Sequence, residues 1–180
     1  MGATPLPYLE AAIEEIVRLS GTSDSIQRVA TMDTEVLGHH IPKGTELYML
    51  GMGPSMLEPS FKIDDSLRSA SSKKVSAEGR VRAWDESTDM TAFAPERWLR
   101  TEKGKQVFDA LSGPALTFGL GTRGCYGKRL AYIEMRLIFT LVIWNFELLP
   151  CPPELSGYEA INGVTRKPRK AYARLAKVTL

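Results

Sequence analysis

"LTFGLGTRGCYGKRLAYIEMRLIFTLVIWNFELLP", Leu116 to Pro150, carries two signatures at once. Gly119, Gly121 and Gly124 spell G-x-G-x-x-G ahead of a long helical pattern, and Glu147 follows roughly twenty residues on, which is the spacing of a dinucleotide-binding turn. The same residues also read Phe118-x-x-Gly121-x-Arg123-x-Cys125-x-Gly127, a glycine-rich turn that presents one cysteine just before a helix. The first reading needs further strand–helix–strand units and a parallel sheet. Only Leu148 to Leu180 follow Glu147, broken by Pro150, Pro152 and Pro153, and the β-type runs upstream look like hairpins. The second reading explains more residues. Peptide N–H groups at a helix N-terminus, with a cation nearby, favour thiolate over thiol. Gly121 and Gly127 let backbone and a flat ring come close, and Arg123 offers a forked pair of donors to a carboxylate.

At 180 residues the chain is long enough for one domain with a core. With 43% apolar and 24% charged residues it is not a disordered composition. A net charge of +2 lacks the clustered basic footprint of a nucleic-acid binder. Two cysteines, Cys125 and Cys151, make no disulfide framework, so free thiols in a reducing compartment are expected. Cys151 lies between prolines with no partner motif, and the adjacent His39 and His40 read as a solvated turn, not a metal site. "MGATPLPYLEAAIEEIVRL" has no signal-peptide organisation, and Pro5 and Leu6 fit an N-myristoylation motif poorly. The longest apolar run, Leu137 to Trp144, falls well short of the ~20 residues that span a bilayer.

Along the chain, Thr4 as cap and Pro5 at the first position open a helix over 4–20, with Leu9, Ala12, Ile13, Ile16 and Val17 at helical spacing and Gly21 after it. A small antiparallel hairpin is expected over 26–50, with turns at Gly38 and Pro42-Lys43-Gly44. Residues 60–89 read as a polar surface loop or insertion. A helical pattern resumes near Pro95, and a Gly- and Pro-punctuated meander covers the segment 93–117. The long helix 128–145 places Leu130, Ile133, Leu137, Leu141 and Trp144 on one apolar face, read as core packing. A β-like tail covers 157–180.

"FGLGTRGCYGKRLA", residues 118–131, closely resembles the cysteine-ligand loop of the cytochrome P-450 haem-thiolate monooxygenases. Two more motifs match in the same order. Glu15-Ile16-Val17-Arg18 looks like the family's E-x-x-R helix, and Phe93-Ala94-Pro95-Glu96-Arg97-Trp98 looks like its F-x-P-E-R-W segment. "IPKGT", Ile41 to Thr45, is similar too. The resemblance implies a mainly α fold with minor antiparallel β, the C-terminal part of the cytochrome P-450 fold. It implies haem b as cofactor, with Cys125 as the axial iron thiolate. Phe118, Gly119 and Gly127 belong to the haem loop, Arg123 to one propionate and Arg28 to the other. Glu15, Arg18 and Arg97 would form a buried ion triad, consistent with the spacing of three that puts Glu15 and Arg18 on one helix face. Lys128 and Arg129 read either as a solvated helix start or as docking points for an acidic electron donor.

The resemblance further implies a haem-dependent monooxygenase. It would act on a small organic substrate, with electrons from a partner such as a flavoprotein reductase. Segments 20–30 and 157–165 match the family's two C-terminal substrate-lining stretches. The central helix that handles protons for oxygen activation has no matching signature here, so no catalytic residue is assigned. Tyr126, the missing His-Pro after the first helix and the long polar segment Phe61 to Glu86 depart from the family pattern. A non-catalytic remnant, or a partial haem binder, is the alternative. Full-length eukaryotic relatives are typically anchored to the endoplasmic reticulum membrane, whereas this stretch alone is expected in the cytoplasm.

Overall fold

A computed structural model describes residues 6–178 except 24, 54–55, 80–83, 85–86, 88 and 115–116. The chain divides into two compact units, 1–117 and 118–180.

The first unit opens with helix α1 (Pro7–Leu19). Pro7, with no N–H to satisfy and φ already helical, takes the role expected of Pro5; Thr4 and Pro5 lie outside the described residues. The helix closes where the Ser20 N–H donates to the Ile16 carbonyl at 2.8 Å. Gly21 follows, and a Cβ there would stand 2.4 Å from the Met52 sulfur, so the methionine side chain would have to shift. The buried face is Ala11, Ile13, Glu15, Val17 and Arg18, rotated from the apolar stripe read in the sequence. Two charged residues share the interior, so Leu9, Ala12 and Ile16 end up half-buried.

Strands β1 (Ser25–Val29), β2 (Thr34–Val36), β3 (His39–Ile41) and β4 (Glu46–Leu50) form two nested antiparallel ladders. Ser25 stands opposite Leu50 and Val29 opposite Glu46, with β2 and β3 paired inside. Leu37 and Gly38, at φ 51° and 81°, make the two-residue turn whose twist matches a hairpin. Gly44, at φ 88°, fills the glycine position of a turn in which the Thr45 N–H donates to the Pro42 carbonyl at 3.1 Å. His39 and His40 are therefore on a strand, not in a turn.

The polar segment is more than a surface loop. It holds helix α2 (Ala70–Ala77), capped by the Ser69 hydroxyl, which accepts the Ser72 N–H at 3.2 Å. It also sends Trp84 into the core. Beyond it, the helical pattern expected at Pro95 is a single 3₁₀ turn, Pro95–Trp98. The supposed meander contains a hairpin, β5 (Leu99–Glu102) and β6 (Lys105–Phe108), turned by Lys103 and Gly104 at φ 50° and 75°. Ala11, Trp84, Met90 and Trp98 form the core, with Leu99 and Phe108 packed against it. The two indoles meet edge to face, 4.9 Å between centroids at 79°, the arrangement that ring quadrupoles prefer.

The second unit consists of the cysteine loop, helix α3 (Lys128–Asn145), and strands β7 (Phe146–Leu149), β8 (Ala160–Ile161), β9 (Lys167–Pro168) and β10 (Arg174–Lys177). β7 pairs antiparallel with β10 and β8 with β9. The α3 stripe read as core is exposed, from 51% at Ile133 to 69% at Trp144. Within this unit the strands are two to four residues long, too little surface to cover an 18-residue helix. Every ladder among the described residues is antiparallel, and Glu147 stands on β7 opposite Ala176. The parallel sheet that a dinucleotide fold needs is absent among them. No helix of the described residues is long and apolar enough to cross a membrane.

Candidate functional site

The glycine loop is wound tightly around its cysteine. Gly119 and Gly121 take φ 65° and 64°, a region that a side chain disfavours. A short 3₁₀ turn, Gly121–Arg123, follows, and the Gly124 N–H donates to the Gly121 carbonyl at 3.0 Å. A Cβ on Gly124 would press to 3.2 Å from that oxygen. The loop closes where the Cys125 N–H donates to the Phe118 carbonyl at 2.7 Å. Cys125 is a free thiol and exposed. Gly127 is the residue before α3; a Cβ there would sit 3.8 Å from Sγ, in ordinary contact with it.

Phe118 is clamped to α3. Its ring lies 5.4 Å from that of Tyr132, and the Lys128 ammonium stands 5.9 Å from the first ring and 5.7 Å from the second. The Arg136 guanidinium lies 5.8 Å from the Tyr132 ring. Lys128 thus spends its charge partly on its own unit. Arg123 is exposed, and among the described residues no carboxylate pairs with it. Arg28, on β1, is exposed and donates to the neighbouring Gln27 carbonyl at 2.7 Å. It belongs to the first unit, as Arg123 and Cys125 belong to the second.

The three charged residues that the resemblance singled out do meet, inside the first unit. Arg18 grips Glu15 with Nε to Oε2 at 2.8 Å and Nη2 to Oε1 at 2.7 Å. Arg97 Nε donates to Oε1 at 3.1 Å. Two donors that no charge pattern foretold complete the set: the Ala94 N–H to Oε1 and the Trp98 indole to Oε2, each at 3.0 Å. Arg18 spends its other donors on the carbonyls of Met56, Met90 (2.8 Å) and Ala92 (3.3 Å), so all five of its N–H groups are engaged. Arg97 reaches the Asp89 carbonyl at 2.6 Å. Glu15 and Arg18 are fully buried. Burial pushes the Glu15 carboxyl upward, but the hydrogen bonds from Arg18, Ala94 and Trp98 outweigh it and hold it below the usual carboxylate range. The isolated tryptophan in a polar stretch, Trp84, was the overlooked signal, because an indole seldom lies idle on a surface.

The sequence profile of the cytochrome P-450 family matches residues 3–55 and 88–174. The chain belongs to the cytochrome P-450 family. It is 48% identical to the cytochrome P-450 monooxygenase TRI13 of Fusarium sporotrichioides over 97% of the chain and 32% of that protein. It is 41% identical to the Hps1-dma1 cluster cytochrome P-450 monooxygenase cyp3.1 of Dothistroma septosporum, over 96% of the chain and 58% of that protein. The chain thus spans about a third to somewhat over half the length of these relatives. Among solved structures, a cytochrome P-450 named CYP102L1 aligns with a TM-score of 0.61 at 23% identity, over 95% of this chain and 32% of that one. The retinoic-acid-bound cyanobacterial CYP120A1 aligns at 0.62 and 21%, over 96% and 33%. The fold is the C-terminal part of the cytochrome P-450 fold, mainly helical with minor antiparallel sheet. Residues 56–87, which include α2 and Trp84, fall in the gap of the profile match.

Membership implies a haem. The cysteine loop fits one on its own geometry: an exposed sulfur, glycines that take the loop's left-handed turns, and a guanidinium two residues away. The donor set is a lone thiol, and among the described residues no cluster of three or more His, Cys, Asp or Glu competes as a metal site.

Proposed function

We propose that this chain supplies the haem-binding part of a cytochrome P-450 monooxygenase that inserts one oxygen atom into a small organic substrate. Cys125 would hold the iron of haem b through its thiolate, Arg123 would take one propionate and Arg28 the other, and Phe118, Gly119 and Gly127 would shape the loop for the ring. The observation that carries this reading is the exposed Cys125 sulfur, held by its N–H bond to the Phe118 carbonyl directly before α3. When bound, a thiolate-ligated haem activates O₂, the sulfur pushing electron density to the iron in favour of O–O cleavage. The chain's own residues fix ligand geometry and anchor the ring. Phe118, tilted against Tyr132 with the Lys128 ammonium near its ring, keeps the loop from peeling off the helix. Glu15, Arg18 and Arg97 are structural in this reading and touch no substrate. The electron donor is a partner such as a flavoprotein reductase.

The test is spectroscopic. The 180-residue chain is expressed, loaded with haemin, reduced and exposed to CO. A strongly red-shifted Soret band is expected, and Cys125→Ser should abolish it. A band at the imidazole or free-haem position in the parent would show that this chain alone builds no thiolate site. Retention of the shifted band in the Ser variant would remove Cys125 as ligand.

A further inference from the structure

The segment that the family profile skips, residues 56–87, is tied to the ion network at both ends. At its start, the Met56 carbonyl accepts from Arg18 Nη1. Near its end, the Trp84 ring lies 5.8 Å beneath the Arg18 guanidinium and meets Trp98 edge-on. Trp98 in turn donates its indole N–H to Glu15. Trp84 is 6% exposed, although polar sequence surrounds it. Its seat is made by Gly113: a Cβ there would stand 2.3 Å from two of its ring carbons, so any side chain at 113 would force the ring out of its place.

We infer that Trp84 is a positioning residue for the Glu15–Arg18–Arg97 network, holding the Trp98 indole and the Arg18 guanidinium on the Glu15 carboxylate from a seat that only glycine at 113 permits. The mechanism is steric and electrostatic. An indole hydrogen bond is directional, so the ring must keep its tilt for Nε1 to face Oε2. Trp84 fixes that tilt by standing edge-on against it. A guanidinium is planar and weakly hydrated, so an aromatic face can cover it where water would otherwise enter. The insertion is then part of the network's housing. The inference does not depend on haem binding.

Three variants of the full chain test it: Trp84→Leu, Trp84→Phe and Gly113→Ala. The decisive readout is the titration of the Glu15 carboxylate by carbon NMR: looser packing alone would admit water and lower the midpoint, whereas misplaced donors raise it. Trp84→Leu keeps an apolar filling but loses the aromatic face. It is expected to raise the Glu15 midpoint by about half a pH unit or more, roughly a threefold loss of preference for the charged form. Trp84→Phe should hold the midpoint near the parent value. The circular dichroism signal from coupling between the two indoles should vanish in both Trp84 variants, showing that the pair was the source. If Trp84→Leu fails to fold, Gly113→Ala, which displaces the ring, is expected to raise the midpoint instead. An unmoved Glu15 titration in whichever of Trp84→Leu and Gly113→Ala folds, or a Phe variant shifted as far as the Leu variant, would overturn the inference. Collapse of both would overturn the positioning role in favour of plain core packing.

Discussion

At the scale of single residues, Glu15 decides most. Its carboxylate accepts five hydrogen bonds from Arg18, Arg97, Ala94 and Trp98, all while buried. Breaking such a network leaves two guanidinium groups facing no anion. Glu15→Gln should therefore cost about 3–5 kcal/mol at neutral pH, measured by urea unfolding. The pH dependence follows from the direction of the shift. The folded carboxyl titrates below its ordinary value, so the stability it confers is fully present above that value. It fades as pH falls through the lower, folded midpoint, and Glu15→Gln should lose this part of the acid sensitivity. Urea midpoints followed down the acid range would check it; an unchanged slope in the variant would assign the acid sensitivity to other groups. The three charges were legible through the resemblance of two motifs, E-x-x-R and F-x-P-E-R-W; the spacing of three only agreed with the Glu15–Arg18 half. The donors from Ala94 and Trp98 were not, since a backbone N–H leaves no mark in a sequence and an indole is read first as bulk.

At the scale of elements, the turns matter more than the strands they join. Lys103 and Gly104 reverse the chain between β5 and β6, and this hairpin ends in Phe108, which packs on the core. Gly104→Ala puts a Cβ into a left-handed conformation and should destabilise by about 1–2 kcal/mol, seen as a lowered thermal midpoint. There is open space around Gly104, so crowding would not explain the loss. The long periodicity of α3 announced itself, because apolar residues recur over five turns of helix. The β5–β6 hairpin stayed hidden, since four-residue strands show too few alternations to separate from a loop. Helix α2 stayed hidden for a related reason: it buries nothing and so has no apolar face to repeat. Its N-cap serine was the one local clue.

At the scale of the molecule, the two units differ in what holds them. The first has a tryptophan-centred core and a saturated ion network. The second has a helix with no fully buried residue and two short ladders. Hydrogen exchange on the 180-residue chain should accordingly be slowest in α1 and at the β5–β6 pairing, and markedly faster along α3. Equal protection in both would mean that α3 finds cover in solution. The sequence misled on this point because periodicity says which residues share a face and nothing about what lies over it.

The bonds of Arg18 also set an order on biosynthesis. Its carbonyl partners stand 38, 72 and 74 residues further along the chain, and the Ala94 N–H that caps Glu15 is 79 residues beyond it. A ribosome releases α1 well before Met90, Ala92 and Ala94 have been made. During that interval the Glu15–Arg18 pair has only itself and water, and the helix offers an apolar flank with nothing to lie on. A pause in translation before Trp98 clears the exit tunnel would hold the nascent chain in that state, where a chaperone or a protease meets it first.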